Sequence, residues 1–144
     1  MCLKTLKIAE VGDIEALNYF QHPFVSATLE GCLESGKDYV NGGAKYNFSS
    51  ITAYGFATLV NSMYNIKKIV YEEKSMMLPD LINILNSNFE DNEVYRQKLI
   101  NNYESWGNDK TEIDSLANEL WDLFTSEVVK HKPLRGGRYN AGAY

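Results

Sequence analysis

The most regular stretch of this 144-residue chain is Phe56-Ala57-Thr58-Leu59-Val60-Asn61-Ser62-Met63-Tyr64-Asn65-Ile66-Lys67-Lys68-Ile69-Val70. Its apolar residues recur every three or four positions, the spacing that places them on one face of a helix. They are Phe56, Leu59, Val60, Met63, Ile66 and Val70, with Asn61, Asn65, Lys67 and Lys68 on the opposite side. Ser49, Ser50 and Thr52 precede the stretch and are N-cap candidates. The stretch predicts an amphipathic helix.

Three more helices are predicted after it. Pro79 suits the first turn of a helix, because the N–H that proline lacks would have no partner there. Leu78, Leu81, Ile82, Leu85 and Phe89 continue that helix, and another is expected over 91–103, with Val94, Tyr95, Lys98 and Leu99 as its buried face. A last helix, opening near Asp109 or Thr111, carries Ile113, Leu116, Ala117, Leu120, Phe124 and Val128. Pro133 stops it after three basic residues that complement the helix dipole.

The first third of the chain is less regular. A helix over 8–20 is weakened by Gly12, and a second is expected to start at Pro23 and end near Gly36. The stretch 41–48 is expected to be a loop or a short strand, since its two adjacent glycines allow positive φ. The last ten residues have the composition of a structured turn leading into a further element, so we expect that the chain is cut there.

Composition excludes several classes of protein. With 44% apolar and 23% charged residues, the chain can bury one core and is not disordered. Its formal charge of −5 is atypical of nucleic-acid-binding proteins. It contains no apolar run long enough for a membrane span and no secretory signal. The two cysteines, Cys2 and Cys32, indicate reduced thiols in a cytoplasmic protein.

Taken one by one, the residues give little indication of a catalytic or metal-binding function. His22 is interpreted as a helix-entry residue and His131 as a helix cap, and no metal-binding motif is present. Cys32 is interpreted as a small buried hydrophobic residue and not as a nucleophile. Glu72 and Glu73 are adjacent, so they cannot face one another as an acid–base pair. Four tyrosines are interpreted as packing residues: Tyr46, Tyr54, Tyr64 and Tyr71.

Several segments together resemble the glycyl radical enzymes, a family often called pyruvate formate-lyase-like. Their order along the chain follows that family and covers everything beyond about residue 22. The segments are 23–27, 30–38, Gly42-Gly43-Ala44-Lys45-Tyr46-Asn47-Phe48-Ser49, 61–74, Trp106-Gly107-Asn108-Asp109, 114–117 and Arg135-Gly136-Gly137-Arg138-Tyr139-Asn140-Ala141-Gly142-Ala143-Tyr144. The stretch that begins at Gly42 favours the dehydratase and lyase branches.

The resemblance implies an α/β fold, a ten-stranded barrel with helices outside, of which this mostly α-helical chain is part. It implies that residues 1–144 form part of a catalytic domain. Residues from about 22 onward resemble the family, and whether 1–21 do so is left open. In such enzymes a glycine radical is installed by an activating enzyme that uses S-adenosylmethionine and an iron–sulfur cluster. That radical generates a cysteine thiyl radical, which abstracts hydrogen from a small-molecule substrate before water or another group leaves. The full-length relative is expected to be an anaerobic, cytoplasmic homodimer.

This chain departs from the family pattern at both radical positions. Gly31-Cys32-Leu33-Glu34 is similar to the thiyl cysteine motif, but its flanks match a later helix. The radical-glycine motif is also only superficially resembled, by Asn140-Ala141-Gly142-Ala143-Tyr144, which matches a loop that enters a barrel strand. No catalytic residue, bound cofactor or metal site is therefore expected in this segment. It is expected to be inactive alone, with the remainder of the same enzyme as its partner.

Two residues are candidates for substrate binding on this resemblance. Tyr144 falls where dehydratase relatives place a tyrosine at the edge of the substrate cavity, and its phenol could bind a substrate hydroxyl. A packing tyrosine on a barrel strand is the alternative. Glu30 aligns with a position that is acidic in some relatives and could contact substrate or assist proton transfer. A salt-bridged structural glutamate is the alternative there.

Two other readings of the whole chain remain open. One is a stand-alone helical interaction protein that docks on a related enzyme. The other is a helical bundle whose similarity to the family is accidental. An internal fragment should carry apolar helix stripes that face missing partners, whereas an independent module should unfold cooperatively and stay monodisperse.

Overall fold

The computed structural model describes residues 2–101 and 104–144, which are mostly helical with one small sheet. The helices are α1 (Cys2–Tyr19), α2 (Pro23–Ser26), α3 (Cys32–Ser35), α4 (Phe56–Ile66), α5 (Leu78–Asn86), α6 (Glu93–Asn101) and α7 (Thr111–Val128). The strands are β1 (Phe48–Ala53) and β2 (Arg138–Ala143), with a 3-10 turn at Tyr39–Asn41 and a π-helix at Lys67–Glu72. None of the described helices is both long and apolar enough to cross a membrane.

The chain divides into two compact units, and the boundary falls inside α7. The first unit contains the residues up to Tyr54 together with Asp122–Tyr144. Here β1 and β2 pair in parallel, from Phe48 beside Arg138 to Ala53 beside Ala143. One face of this sheet packs against α1 and the end of α7. The buried residues of that core are Leu6, Ile51, Val128 and Tyr139, with Ala9, Phe124 and Ala141 packed against them.

The second unit, Gly55–Trp121, has a core of its own. Residues four apart on α4 and on α7 meet there, as the helical period requires. The buried residues are Phe56, Val60, Tyr64, Ile113 and Ala117, with Leu116, Leu120 and Trp121 packed against them. The ring of Phe56 meets Trp106 and Trp121 edge-to-face, at centroid distances of 5.4 and 5.5 Å. Edge-to-face contact is favourable for aromatic rings because of their quadrupoles.

The predicted helix from Phe56 to Val70 is present, but its last turn and its buried face differ from expectation. The α-helix ends at Ile66 and continues as the π-helix Lys67–Glu72. Leu59 and Met63 were wrongly placed on the buried stripe, since both are exposed, while Tyr64 is buried. The reason is that α7 contacts the Phe56–Val60–Tyr64 row, which is rotated from the centre of the apolar stripe.

The later helices match the predictions with shorter bounds. Pro79 lies in the first turn of α5, which ends at Asn86, before Phe89 with its positive φ of 62°. The helix predicted over 91–103 is α6, and Tyr103 lies outside the described residues. Val94 was wrongly assigned to a buried face, because its side chain is 83% exposed. The last helix is α7. It starts at Thr111, which is one of the two predicted starting positions.

The N-terminal third contains more helix than its sequence indicates. Helix α1 runs from Cys2 through Gly12 to Tyr19 without interruption. The single helix expected from Pro23 is instead two short ones, α2 and α3, because Gly31 adopts a left-handed φ of 97° between them. Helix α3 ends at Gly36, as predicted, and Gly36 adopts a left-handed φ of 64°. The stretch expected to be a loop or a short strand, 41–48, contains the end of the 3-10 turn, a loop over 42–47 and the first residue of β1, and the tail turns into β2.

Candidate functional site

A pair of glycines precedes each of the two parallel strands, and one glycine of each pair lies very close to the backbone that precedes the other strand. Gly42 and Gly43 precede β1, and Gly136 and Gly137 precede β2; we call these four residues the glycine clasp. A Cβ atom on Gly42 would lie 2.2 Å from the carbonyl oxygen of Arg135, and one on Gly137 would lie 2.0 Å from that of Asn47. Both residues also have φ near +75°, so the backbone approach requires glycine on steric and conformational grounds.

Side-chain hydrogen bonds complete this arrangement. Asn47 Nδ2 donates to the carbonyl oxygen of Arg135 at 2.9 Å. In return, the guanidinium of Arg135 donates to Ser49 Oγ at 3.0 Å and to the carbonyl oxygen of Phe48 at 2.7 Å. Because these contacts join the turn before β2 to the residue before β1 and to the first two residues of β1, they fix the register of the pair at its amino end.

At the carboxyl end of the strand pair, two tyrosines stack. The backbone N–H of Tyr144 donates to the carbonyl oxygen of Ala53 at 3.0 Å. The rings of Tyr54 and Tyr144 lie nearly parallel, 5.6 Å apart with 22° between their planes. They are 80% and 86% exposed, so they pack on each other and not in a core. Tyr144 was a predicted site residue; Tyr54 was expected to pack, and its partnership with Tyr144 was missed.

A repeated dipeptide is the signal that could have identified this pair. Each strand ends in alanine, Ala53 or Ala143, and is followed directly by tyrosine, Tyr54 or Tyr144. The carboxyl end of parallel strands is also where α/β proteins place their ligand sites. Of the other tyrosines that were expected to pack, Tyr64 is buried, whereas Tyr46 and Tyr71 are exposed.

The structure places Glu30 away from Tyr144. Its side chain forms an exposed ion pair with Lys45 Nζ, and its carbonyl oxygen accepts the Lys45 N–H at 2.8 Å. Lys45 lies just before β1, at the amino end of the strand pair, whereas Tyr144 follows the carboxyl end. A six-residue strand spans about 20 Å. The two predicted substrate-binding residues are therefore not brought together.

The most strongly perturbed titratable groups lie in the second unit. Glu112 of α7 accepts hydrogen bonds from Lys67 at 2.9 Å, from Lys68 at 2.9 and 3.0 Å, and from Tyr64 Oη at 3.0 Å. These bonds lower the pKa of Glu112 to about 2. Hydrogen bonds to Glu72 and Glu112 raise the pKa of Lys68 well above its usual range. All these charges are satisfied by one another, as in a structural ion-pair network.

The histidines and the described cysteine occupy structural positions. His22 precedes α2, as predicted, and its backbone N–H donates to Asp38 Oδ2 at 2.8 Å. His131 follows α7, with Nε2 3.5 Å from Glu127 Oε1. Cys32 is buried in α3 at 3% exposure. Across 2–101 and 104–144, no group of three or more His, Cys, Asp or Glu side chains is arranged to hold a metal ion.

Comparison with known proteins identifies the family. The family model for pyruvate formate lyase-like proteins matches residues 7–144, a range that includes most of α1. The chain is 32% identical over 117 residues to the trans-4-hydroxy-L-proline dehydratase of Clostridioides difficile. That match covers 81% of this chain and 15% of the relative, so the chain spans about a sixth of the curated relatives it matches.

Solved structures agree with this assignment. The glycerol-bound B12-independent glycerol dehydratase of Clostridium butyricum has a TM-score of 0.78 at 35% identity, covering 90% of this chain and 16% of that one. A glycyl radical enzyme of Archaeoglobus fulgidus has a TM-score of 0.86 at 27% identity, covering 99% and 18%. The chain therefore belongs to the pyruvate formate lyase-like family of glycyl radical enzymes.

Proposed function

We propose that the chain is an internal segment of the catalytic domain of a glycyl radical dehydratase or lyase. In the complete enzyme it would supply outer helices and two neighbouring strands of a ten-stranded α/β barrel. The observation that carries this proposal is the parallel pairing of β1 with β2, with the buried residues of one face packed against α1 and α7. An α/β barrel has this arrangement, with helices outside and the other face of each strand turned inward.

The exposed apolar residues support the same proposal. An independent monomer rarely leaves many large apolar side chains in solvent. Here they occur on α1, on α2, on α3 and in or directly after the last turns of α7, and we propose that the remainder of the enzyme covers them. Examples with more than half of the side chain exposed are Ile8, Val11, Phe24, Leu33, Leu123 and Val129.

For the site, we propose that Tyr144 contributes its phenol to the edge of the substrate cavity. Its position after β2, at the carboxyl end of a parallel pair, supports this role. A phenol can donate a hydrogen bond to a substrate hydroxyl and accept one from it. For Glu30, the ion pair with Lys45 favours the structural alternative over contact with substrate.

The glycyl and thiyl radicals belong to parts of the enzyme beyond this segment. The Cys32 thiol is buried, and Glu34 Oε2 accepts the Gly31 N–H at 2.9 Å as a helix cap, which supports a structural role for this stretch. We therefore propose that this chain has no turnover alone. A cytoplasmic location, a homodimer, a small-molecule substrate and an activating enzyme with S-adenosylmethionine and an iron–sulfur cluster are proposed for the complete enzyme only.

A chimera tests the proposal. Replacing the matching segment of the Clostridium butyricum glycerol dehydratase with this chain should give an enzyme that dehydrates glycerol after activation. The same enzyme with the segment deleted is the control and should be inactive. A chimera that folds and carries a radical but has no turnover would contradict the assignment. The chain alone, incubated with the activating enzyme, should show no glycyl radical signal by electron paramagnetic resonance; a signal would refute its inactivity.

The alternative is a stand-alone helical module that docks on a related enzyme. Each of the two units has a buried core of its own, which favours this reading over a fragment with no core. Flanking DNA separates the two: reading frames that continue into a thiyl cysteine motif upstream or a radical glycine downstream would favour the segment. A monodisperse chain with cooperative unfolding would favour the module.

A further inference from the structure

The parallel pairing of β1 and β2 extends one residue beyond the end of β2. Ala53 lies beside Ala143 in the register, and Tyr144 N–H then bonds to the Ala53 carbonyl oxygen at 3.0 Å. Tyr54 and Tyr144 are consequently neighbours, with ring centroids 5.6 Å apart. Their contact is thus a product of the strand register and does not depend on a buried core.

The two strands present different chemistry on their two faces. Ile51, Tyr139 and Ala141 lie on the face that packs against α1 and α7. On the alternate positions, a Cβ atom on Gly142 would lie 3.3 Å from Thr52 Oγ1 and 3.8 Å from Ser50 Oγ, so both hydroxyls lie on the opposite face of the strands. Neither side chain forms a hydrogen bond within the described part of the chain. This face therefore offers free hydroxyl groups leading toward the stacked tyrosines.

We propose that Tyr54 is a positioning residue for Tyr144, holding its ring so that the phenol meets a substrate hydroxyl at the carboxyl end of the strands. This rests on the proposed function, which gives Tyr144 its role. Tyr144 is 86% exposed, and only its backbone is held by the sheet. Without a neighbouring ring, its side chain would sample several rotamers and lose entropy on each binding event.

The contact geometry indicates that the aromatic ring of Tyr54, and not its hydroxyl, holds the ring of Tyr144. The interplanar angle of 22° makes the contact a ring-to-ring stack, and the Tyr54 hydroxyl forms no hydrogen bond within the described part of the chain. Phenylalanine at this position should therefore preserve the contact, whereas alanine should abolish it. Because both rings are mainly exposed, removing either one should not disturb the cores of the protein.

The first experiment follows the Tyr144 ring protons by NMR in the whole 144-residue chain. In the native chain and in Tyr54→Phe, these protons should be shifted by the ring current of residue 54. In Tyr54→Ala the shift should disappear, whereas in Tyr46→Ala, an exposed tyrosine beside Lys45, it should remain. A Tyr144 spectrum that is the same in Tyr54→Ala and the native chain would overturn the proposal.

The second experiment measures glycerol kinetics in the glycerol dehydratase chimera. Tyr54→Ala should raise KM for glycerol about fivefold with kcat nearly unchanged, since a stacked aromatic pair is worth roughly that factor in binding. Tyr54→Phe should restore the parental KM, and Tyr46→Ala should keep it. Equal KM values in all variants would overturn the proposal. An inactive parental chimera would count against the proposed function instead, and the NMR comparison would then decide the role of Tyr54.

Discussion

The side-chain amide of Asn47 donates a hydrogen bond to the carbonyl oxygen of Arg135 across 88 residues of sequence. It links the loop before β1 to the turn before β2, and Arg135 returns two hydrogen bonds to Phe48 and Ser49. A parallel pair has no hairpin to set its register, so contacts at its start take over that task. The glycine clasp and this amide act together at that point.

Replacing Asn47 with alanine should weaken the strand pair. The half-buried carbonyl oxygen of Arg135 loses its side-chain donor, and we expect the first unit to lose about 1 kcal/mol of stability. Hydrogen exchange of the β1 and β2 amides measures this locally. Asn41→Ala, at an exposed position in the preceding 3-10 turn, is the matched control and should leave those amides protected. Equal exchange in both variants would argue that the amide does not hold the register.

Replacing Gly137 with alanine should destabilise the β1–β2 pair far more than replacing Gly36 with alanine. Both glycines have positive φ, so each substitution costs about 1–2 kcal/mol of conformational strain. At Gly36 the new Cβ has no heavy atom within 4 Å, whereas at Gly137 it would lie 2.0 Å from the Asn47 carbonyl oxygen. We therefore expect Gly137→Ala to lose β1–β2 pairing and Gly36→Ala to keep it. Amide exchange and thermal unfolding distinguish them, and similar losses would contradict a steric clasp.

The parts of the fold that sequence predicted well are governed by local spacing. Helix α7 is an example, because residues three and four apart share a face wherever the helix lies. On α4, by contrast, Tyr64 is buried and Met63 is exposed, because the position of the partner helix decides which residues of α4 are covered. Likewise, α1 continues through Gly12, since burial of Leu6 and Ala9 against the sheet outweighs the weak propensity of one glycine.

The candidate site was predicted only in part, for a similar reason. Tyr144 is a candidate on family resemblance and stays a prediction, whereas its contact with Tyr54 comes from strand pairing between distant segments, which no local pattern encodes. The glycine pairs indicated turns or close backbone approach, yet their mutual contact through Asn47 and Arg135 is also non-local. Periodicity reports faces of elements, whereas register and contact partners require the folded chain.

Truncating Ile113 should destabilise the core of the second unit, whereas truncating Leu123, an exposed residue of the same helix that belongs to the first unit, should have little effect. Ile113 is fully buried against α4, and Ile113→Ala should cost about 3 kcal/mol through lost transfer energy and a cavity. Leu123 on the same helix is 69% exposed, so Leu123→Ala should change stability by less than about 0.5 kcal/mol. Denaturant unfolding of the two variants tests this. A large loss in Leu123→Ala would show that its side chain is already covered in the isolated chain.

The ion-pair network at Glu112 should make the second unit sensitive to acid. Its hydrogen bonds from Lys67, Lys68 and Tyr64 lower the pKa of Glu112 to about 2, below its ordinary value of 4.5. A carboxyl whose pKa is lowered by folding stabilises the folded state above its ordinary pKa. That contribution is lost as pH falls from 4.5 toward 2. The effect should be modest because these side chains are partly exposed to solvent.

Glu112→Gln removes this titration and therefore has a distinct signature. At neutral pH the variant should be less stable than the native chain, because Lys67 and Lys68 lose their shared carboxylate. As pH is lowered from 4.5 toward 2, the two thermal midpoints should converge, since the native chain loses by protonation what the variant already lacks. Glu119→Gln on the same helix, which has no ion pair within the described residues, should track the native chain throughout. A constant difference between Glu112→Gln and the native chain at all pH values would mean that the carboxylate charge is not what stabilises this contact.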